Sequence, residues 1–434
     1  MNKYSTLSQQ LKRGLINFSE KLCEGLSHVK FKFISCMLFG LIKGQNVMLS
    51  EIARALEEEI TLKKVIERLS RNLKDFKKTA EITENYIKIV KESIDKDTIL
   101  CLDPGDISKE YSRKQEKLCK IWDASKKRSV NGYKLVEVTA LTHKTKLPVP
   151  VYTNLYSSKE EDVEKLTEEN LKALKHIDKH FGKGGIRVMD RGMDDVKIYE
   201  HCRERKFIVR AKVNRNVIYN GETMNILDLA NKFKGKIGLK HTDKYGKHHN
   251  LKIWHVQVEL PEVKEQILTL IIVHGYDKKE PEPCLLLTNM DANGKQKSRS
   301  VLKIYLCRWR IEEYYRFKKG QFGLENIRVL SLNSIKTLNL LVSMLTGWLA
   351  LLAAKKGESL LLDQIFKYAK RIYKIPQFTL YATADGIFTI LSKTVIGIAS
   401  FLKSKPRKQS SAPNASKLKC KNMEIRIKER IWAC

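Results

Sequence analysis

Apolar positions recur every three or four residues from the N-terminus to about residue 95, with no strong strand run among them. The pattern predicts a helical domain over residues 1–97. Within it, LSEIARALEEEITLKKVIERLSRNLKD reads as two helices joined by a short turn. Ser50 is placed to cap the first, with Leu49, Ile52, Ala53 and Leu56 on its apolar face, and Thr61 to cap the second. The second carries Lys63, Lys64, Arg68 and Arg71 beside Val65, Ile66 and Leu69. A helix-turn-helix sets such a basic second helix against the major groove. A plain helical bundle with a solvated basic face fits the same residues.

From Thr98 the pattern changes. TILCLD is a short apolar run ending in an acid, and YKLVEVTALT and LPVPVYTNLY follow as β-rich runs. Glu160 to Phe181 reads as an amphipathic helix, GIRVMD as another apolar run ending in an acid, Asp194 to Arg205 as a helix, and KFIVRAKV as a strand. Strand, strand, strand, helix, strand, helix, strand is the order of an RNase H-like α/β core. The runs LKIWHVQVEL, QILTLIIVHGY and PCLLLTN then predict a β-rich insertion at about 213–298. Ser300 to Lys319 reads as one long helix that closes a core spanning 98–332. Helical segments fill 333–402. A tail at 403–434 holds ten basic and two acidic residues with two prolines, a composition that favours flexibility at least up to Lys417. Leu338 to Ala354 is the most apolar stretch, interrupted by Asn339, Ser343, Thr346 and Gly347, and reads as a buried helix rather than a membrane span.

Charge narrows the function. Eighty-two Lys and Arg face 49 Asp and Glu, a net charge of +33 in 434 residues. A compact chain this basic repels itself unless a polyanion neutralises it, and nucleic acid fits better than an anionic membrane. The nine cysteines form no CxxC pair, which argues against a zinc ribbon, and their odd number and irregular spacing suit a reducing cytoplasm. The first residues show no signal peptide.

The candidate chemistry lies in three acids. Asp103 and Asp190 each end an apolar run; if both runs are strands of one sheet, their carboxylates can converge on a cation. Pro104 and Gly105 make a turn the rival explanation for Asp103, and Asp106 is the next candidate for its place. The third acid comes from IYLCRWRIEEYYRFKK. On a continuous helix, Tyr305, Arg308, Glu312 and Lys319 fall within about 60° of one another. Glu313 lies about 100° further round, so geometry selects Glu312. Such a face suits a carboxylate that binds metal and cations that hold phosphate. A solvated helix face with an Arg308–Glu312 ion pair has the same spacing. His176 and His180 are at i, i+4 spacing, but no nearby acid or Cys completes a zinc site, and they read as surface residues. Asp194 and Asp195 read as helix-starting residues.

These residues resemble the DDE transposases of bacterial insertion sequences, in the YREK subgroup known as the insertion sequence four family. Y-x2-R-x3-E-x6-K is matched by Tyr305, Arg308, Glu312 and Lys319 without a change of spacing. The family's first acid corresponds to Asp103 in LDPGDISK and its second to Asp190 in VMDRGMDD. The resemblance spans about residues 98–350. It implies an RNase H-like core with a β-rich insertion, and two divalent ions, Mg²⁺ or Mn²⁺, bound by the three acids. It implies cut-and-paste movement by strand cleavage and transfer, with Tyr305, Arg308 and Lys319 gripping phosphates. Arg210 and Lys212 are similar to basic residues that contact transposon-end DNA in relatives. The implied partners are double-stranded terminal inverted repeats and target DNA, bound by a homodimer in the bacterial cytoplasm at the nucleoid, without a membrane. Leu338 to Leu352 and Ile387 to Leu402 carry more apolar surface than one stripe needs, and are expected to supply a dimer interface. Some relatives place a stacking Trp just before the LLLT strand; here that position is Cys284, leaving Trp254 or Tyr276 as the aromatic surfaces for a flipped base. A non-catalytic DNA-binding derivative and a stand-alone RNase H-like nuclease or junction resolvase are the competing readings. Intact acids disfavour the first; the insertion and the N-terminal helices disfavour the second.

Overall fold

The computed structural model describes residues 3–402, apart from 124–125, 164, 244–245, 277–281, 356, 358, 371–377 and 395–396. The expected basic tail, 403–434, lies outside the described residues. Five helices open the chain: α1 (Lys3–Leu22), α2 (His28–Gly44), α3 (Leu49–Leu56), α4 (Leu62–Lys74) and α5 (Thr79–Lys91). Val65, Leu69 and Leu73 form the buried stripe of α4 at i, i+4, i+8. Ser50 does not cap α3. Met48 holds the cap position, and Asn46 Oδ1 accepts from the Met48 N–H at 2.9 Å. Thr61 holds the cap position of α4 without a side-chain hydrogen bond to the helix.

Next come β1 (Ile99–Ser108), β2 (Cys119–Asp123), β3 (Arg128–Leu141), β4 (Pro148–Tyr156), α6 (Leu166–Phe181), β5 (Ile186–Met189), α7 (Val196–His201) and β6 (Phe207–Arg210). Strand β1 is parallel to β5, and β5 to β6; β3 lies antiparallel on the other side of β1, with β4 antiparallel to β3. The order β4-β3-β1-β5-β6 is that of an RNase H-like sheet. Leu100, Cys101 and Leu102 are fully buried, as a central strand covered on both faces requires. The short, half-polar CKIWD of β2 gave no strand signal, yet it pairs with the start of β3.

The insertion comprises β7 (Asn216–Tyr219), β8 (Glu222–Asn225), α8 (Ile226–Asn231), β9 (Ile237–Thr242), β10 (His248–Leu260), β11 (Val263–His274) and β12 (Cys284–Thr288). It extends the core sheet: β12 pairs with β6, and β11 and β10 follow outward. Burial alternates along much of β10, as a sheet with one wet face demands. The remaining helices are α9 (Lys295–Leu306), α10 (Trp309–Gln321), α11 (Leu332–Ala354), α12 (Leu360–Lys367), α13 (Leu380–Ser392) and α14 (Ala399–Leu402).

Helix α11 is long and apolar enough to cross a membrane by length and composition. Its surface nevertheless meets this same chain, packing on β4 and on α2, α4 and α5. Leu338, Leu341, Val342, Leu345 and Leu349 are buried there, as are Ile387, Ile390 and Leu391 of α13. The apolar excess expected to face a second subunit therefore contributes to one core shared with the N-terminal helices. The closest approach is at Gly347, where an added Cβ would lie 1.9 Å from Tyr86 Oη of α5. We expect Gly347→Ala to destabilise the fold by about 1–3 kcal/mol through overpacking, measured by denaturant unfolding. An unchanged midpoint would show that α5 and α11 are not in register as described.

Candidate active site

Strands β1 and β5 pair in parallel with Leu102 opposite Met189, so Asp103 and Asp190 are the next residues on adjacent strands. Two carboxylates thus emerge side by side where the β1–β5 pairing ends. No turn follows Asp103: β1 runs on through Pro104 and Gly105 to Ser108, paired with β3 throughout. Past Leu102 it has no β5 neighbour, and an unpaired edge tolerates a proline. Asp106 turns to Lys319 at 3.2 Å, away from the other acids.

The expected single helix carrying the third acid is tightened at Cys307 and Arg308, separating α9 from α10. Four i→i+3 backbone bonds hold this turn: Cys307 to Ile304, Arg308 to Tyr305, Arg310 to Cys307 and Ile311 to Arg308. Tyr305 therefore ends one helix while Glu312 and Lys319 belong to the next. Tyr305 and Arg308 still meet the acids. The Tyr305 hydroxyl donates to Asp190 Oδ1 at 3.3 Å. Arg308 donates to Glu312 Oε1 at 2.6 Å and lies 3.6 Å from Asp103 Oδ1 and 3.8 Å from Asp190 Oδ2. One guanidinium thus stands among three carboxylates from two strands and a helix. Glu313 points elsewhere, to Arg316.

The electrostatics follow. Burial pushes the Asp103 carboxyl up to about 7, with Asp190 and Glu312 adding to the effect and Arg308 opposing it. Burial disfavours the Arg308 cation, but the surrounding carboxylates overcome this and raise its pKa. Tyr305, buried, stays protonated far above its ordinary range. Side-chain exposure rises from 17% at Asp103 to 32% at Asp190 and 37% at Glu312, so the cluster opens on the Glu312 side.

Lys319 is held by Asp106 and by Glu325 at 3.0 Å, at the rim rather than inside the acid cluster. Arg210, at the end of β6, lies over the Tyr276 ring at 5.7 Å, and that ring is 6.4 Å from Tyr305. Of the two aromatic alternatives, Tyr276 therefore borders the cluster, whereas Trp254 stacks on Phe233 within the insertion. Lys212 donates to the Asp194 carbonyl at 3.0 Å. Asp194 is not a helix-starting residue: buried, it accepts from Tyr199, from the Lys212 N–H and from Arg215, while Asp195 caps α7. In the N-terminal helices, Lys63, Lys64 and Arg71 are exposed, but Arg68 is clamped by Glu58 at 2.8 and 2.5 Å. His176 and His180 are half-buried rather than on the surface, with ring centroids 4.4 Å apart, and Glu84 is 3.6 Å from His180.

Two features escaped the sequence reading. The Tyr315 hydroxyl donates to the Asp103 carbonyl at 2.6 Å, docking α10 on β1. Lys318 and Glu137 form a fully buried ion pair at 2.8 Å. The available signal was a charge on the apolar stripe Ile311, Tyr314, Tyr315, Lys318, and another inside the apolar run VEVTAL.

Among the described residues no three His, Cys, Asp or Glu side chains form a ready coordination set. Asp103, Asp190 and Glu312 instead gather round the positive charge of Arg308. Hard carboxylate oxygens converging on a cation are a donor set that suits Mg²⁺ or Mn²⁺, so the residues fit a divalent ion by chemistry.

A family model described as a transposase DDE domain matches residues 94–348. No curated protein matches the chain. Among solved structures it is similar to the piggyBac transposase in a cryo-electron microscopy synaptic complex with hairpin DNA. The two are 10% identical, with a TM-score of 0.45, over 87% of this chain and 73% of that one.

Proposed function

The chain belongs to the transposase DDE domain family, and from that premise we propose that it moves its own element by cut-and-paste, cleaving DNA at the element's ends and joining them to a target. The observation that carries this reading is the meeting of Asp103, Asp190 and Glu312 around Arg308 at the open edge of the sheet. In this reading the three carboxylates hold two divalent ions. When bound, such ions activate water or a DNA 3′-hydroxyl and stabilise the leaving 3′-oxygen.

The chain's own groups supply orientation and charge. Tyr305 orients Asp190 through its hydroxyl. Arg308, paired to Glu312, carries a permanent cation to the scissile phosphate. Lys319 and Arg210 lie at the rim, where DNA backbone would pass. We place the chain in the YREK subgroup on the spacing of Tyr305, Arg308, Glu312 and Lys319. Exposed Lys63, Lys64 and Arg71 on α4 serve end recognition, with Arg68 bracing the helix through Glu58. Two ends must be held together, which calls for a homodimer on DNA, built from surfaces other than the buried stripe of α11.

The test is direct. The full chain is incubated with duplexes spanning the inverted repeats that flank its reading frame, and strands are resolved on denaturing gels. Cleavage at the repeat boundary is expected with Mg²⁺ and lost with chelator. A chain that binds these ends with Mg²⁺ present yet never nicks them is not a transposase in this sense.

A further inference from the structure

We propose that the buried Lys318–Glu137 ion pair is a positioning device that sets Glu312 against Asp103; the proposal rests on the catalytic reading of those two acids. Glu137 lies directly opposite Asp103 in the β1–β3 register. Lys318 is on the same helix as Glu312. Their contact at 2.8 Å, with both side chains wholly buried, therefore ties the strand beside one acid to the helix bearing the other.

The surroundings extend the tie. Lys318 Nζ also donates to Asn339 Oδ1 at 2.9 Å and to Ser343 Oγ at 2.8 Å, both on α11. Glu137 Oε1 accepts from Thr153 of β4 and from Tyr314 of α10, the latter at 3.3 Å. Neighbouring Tyr315 donates to the Asp103 carbonyl. Within one helical turn, α10 is pinned to β1, β3 and α11 by directional bonds.

Stability alone does not account for this pair. Apolar side chains of equal volume commonly stabilise a core as well as a buried ion pair does. Burial disfavours the Lys318 ammonium, and Glu137 Oε2, also buried, makes no hydrogen bond. What directional bonds add is register: they fix how far α10 slides and rotates on the sheet, which apolar contact leaves loose. Errors of about 1 Å in such placement cost on the order of a hundred-fold in rate.

The full chain is compared with Glu137→Gln, Lys318→Met and the double variant Glu137→Leu/Lys318→Met. Melting is followed by calorimetry, Mn²⁺ affinity by isothermal titration without DNA, and cleavage under single turnover on end duplex. Each single variant strands a buried polar or charged group and should melt earlier. The double variant should regain most of the melting temperature and bind end duplex as the parent does. It should still bind Mn²⁺ at least about ten-fold more weakly and cleave about a hundred-fold more slowly. A double variant with parental Mn²⁺ affinity and rate overturns the proposal, since the pair then only fills the core. If the double variant does not fold, Glu137→Asp, which keeps the charge but shortens the reach, decides between the same outcomes. A parent chain that neither binds Mn²⁺ nor cleaves refutes the catalytic reading itself, a result distinct from defects confined to the variants.

Discussion

Alanine in place of Asp103, Asp190 or Glu312 is expected to slow strand cleavage at least about a thousand-fold, a loss of about 4 kcal/mol of transition-state stabilisation. Each acid supplies a different wall of the cluster: Asp103 from β1, Asp190 from the end of β5, Glu312 from α10. No neighbour can take over, because Asp106 is turned to Lys319 and Glu313 to Arg316. Affinity for end duplex should be unchanged or slightly tighter, since a negative charge has been removed from a surface that receives phosphate. The separation of effects is the diagnostic. Binding by gel shift and cleavage by single turnover, measured on the same preparations, give it directly. A variant that cleaves within ten-fold of the parent removes that acid from the site.

The second large effect is on affinity. With 82 Lys and Arg against 49 acids, binding should be dominated by released counterions. Six or more neutralised phosphates give a slope of about −5 or steeper in log K against log [salt], and a fall of about a thousand-fold between 50 and 200 mM salt. Replacing exposed Lys63, Lys64 and Arg71 should flatten the slope by about one for each phosphate left without its cation. Arg68→Ala should behave differently, because its guanidinium is engaged by Glu58: it should lower the melting temperature more than the slope. A titration from low to high salt with fluorescent end duplex reads both. A slope near zero would mean that the partner is not a nucleic acid.

The core strands and the meeting of the three acids were legible because they depend on local pattern. An apolar run of strand length ends where β1 and β5 cease to pair, and the acid that follows each run emerges there, as Asp103 and Asp190 do, although β1 itself continues to Ser108. The spacing of Arg308 and Glu312 was legible for the same reason, since one turn of helix brings them to 2.6 Å. What failed depends on neighbours. Pro104 and Gly105 stay in the strand because β1 loses β5 beyond Leu102, which no local rule foresees. The tightened turn at Cys307 and Arg308 sits in a sequence without Pro or Gly to mark it. Arg68 read as a free cation because Glu58, across the turn, was not paired with it. Asp194 read as a helix start because its partners Lys212 and Arg215 lie beyond the next strand. The surplus apolar surface of α11 invited a second subunit because α2, α4 and α5, which cover it, are distant in sequence.

That distance sets a schedule for the ribosome. Asn333 of α11 donates to the Lys74 carbonyl at the end of α4 and to the Phe76 carbonyl just beyond it, and Ser8 of α1 meets Thr394 at 3.0 Å. The first five helices cannot close their core until α11 emerges, about 240 residues after α5. At ~5–20 residues per second, that is a wait of about 10–50 s with apolar surface uncovered. The nascent chain is in the meantime expected to expose the apolar surface that chaperones bind, and to reach its native state only late in translation.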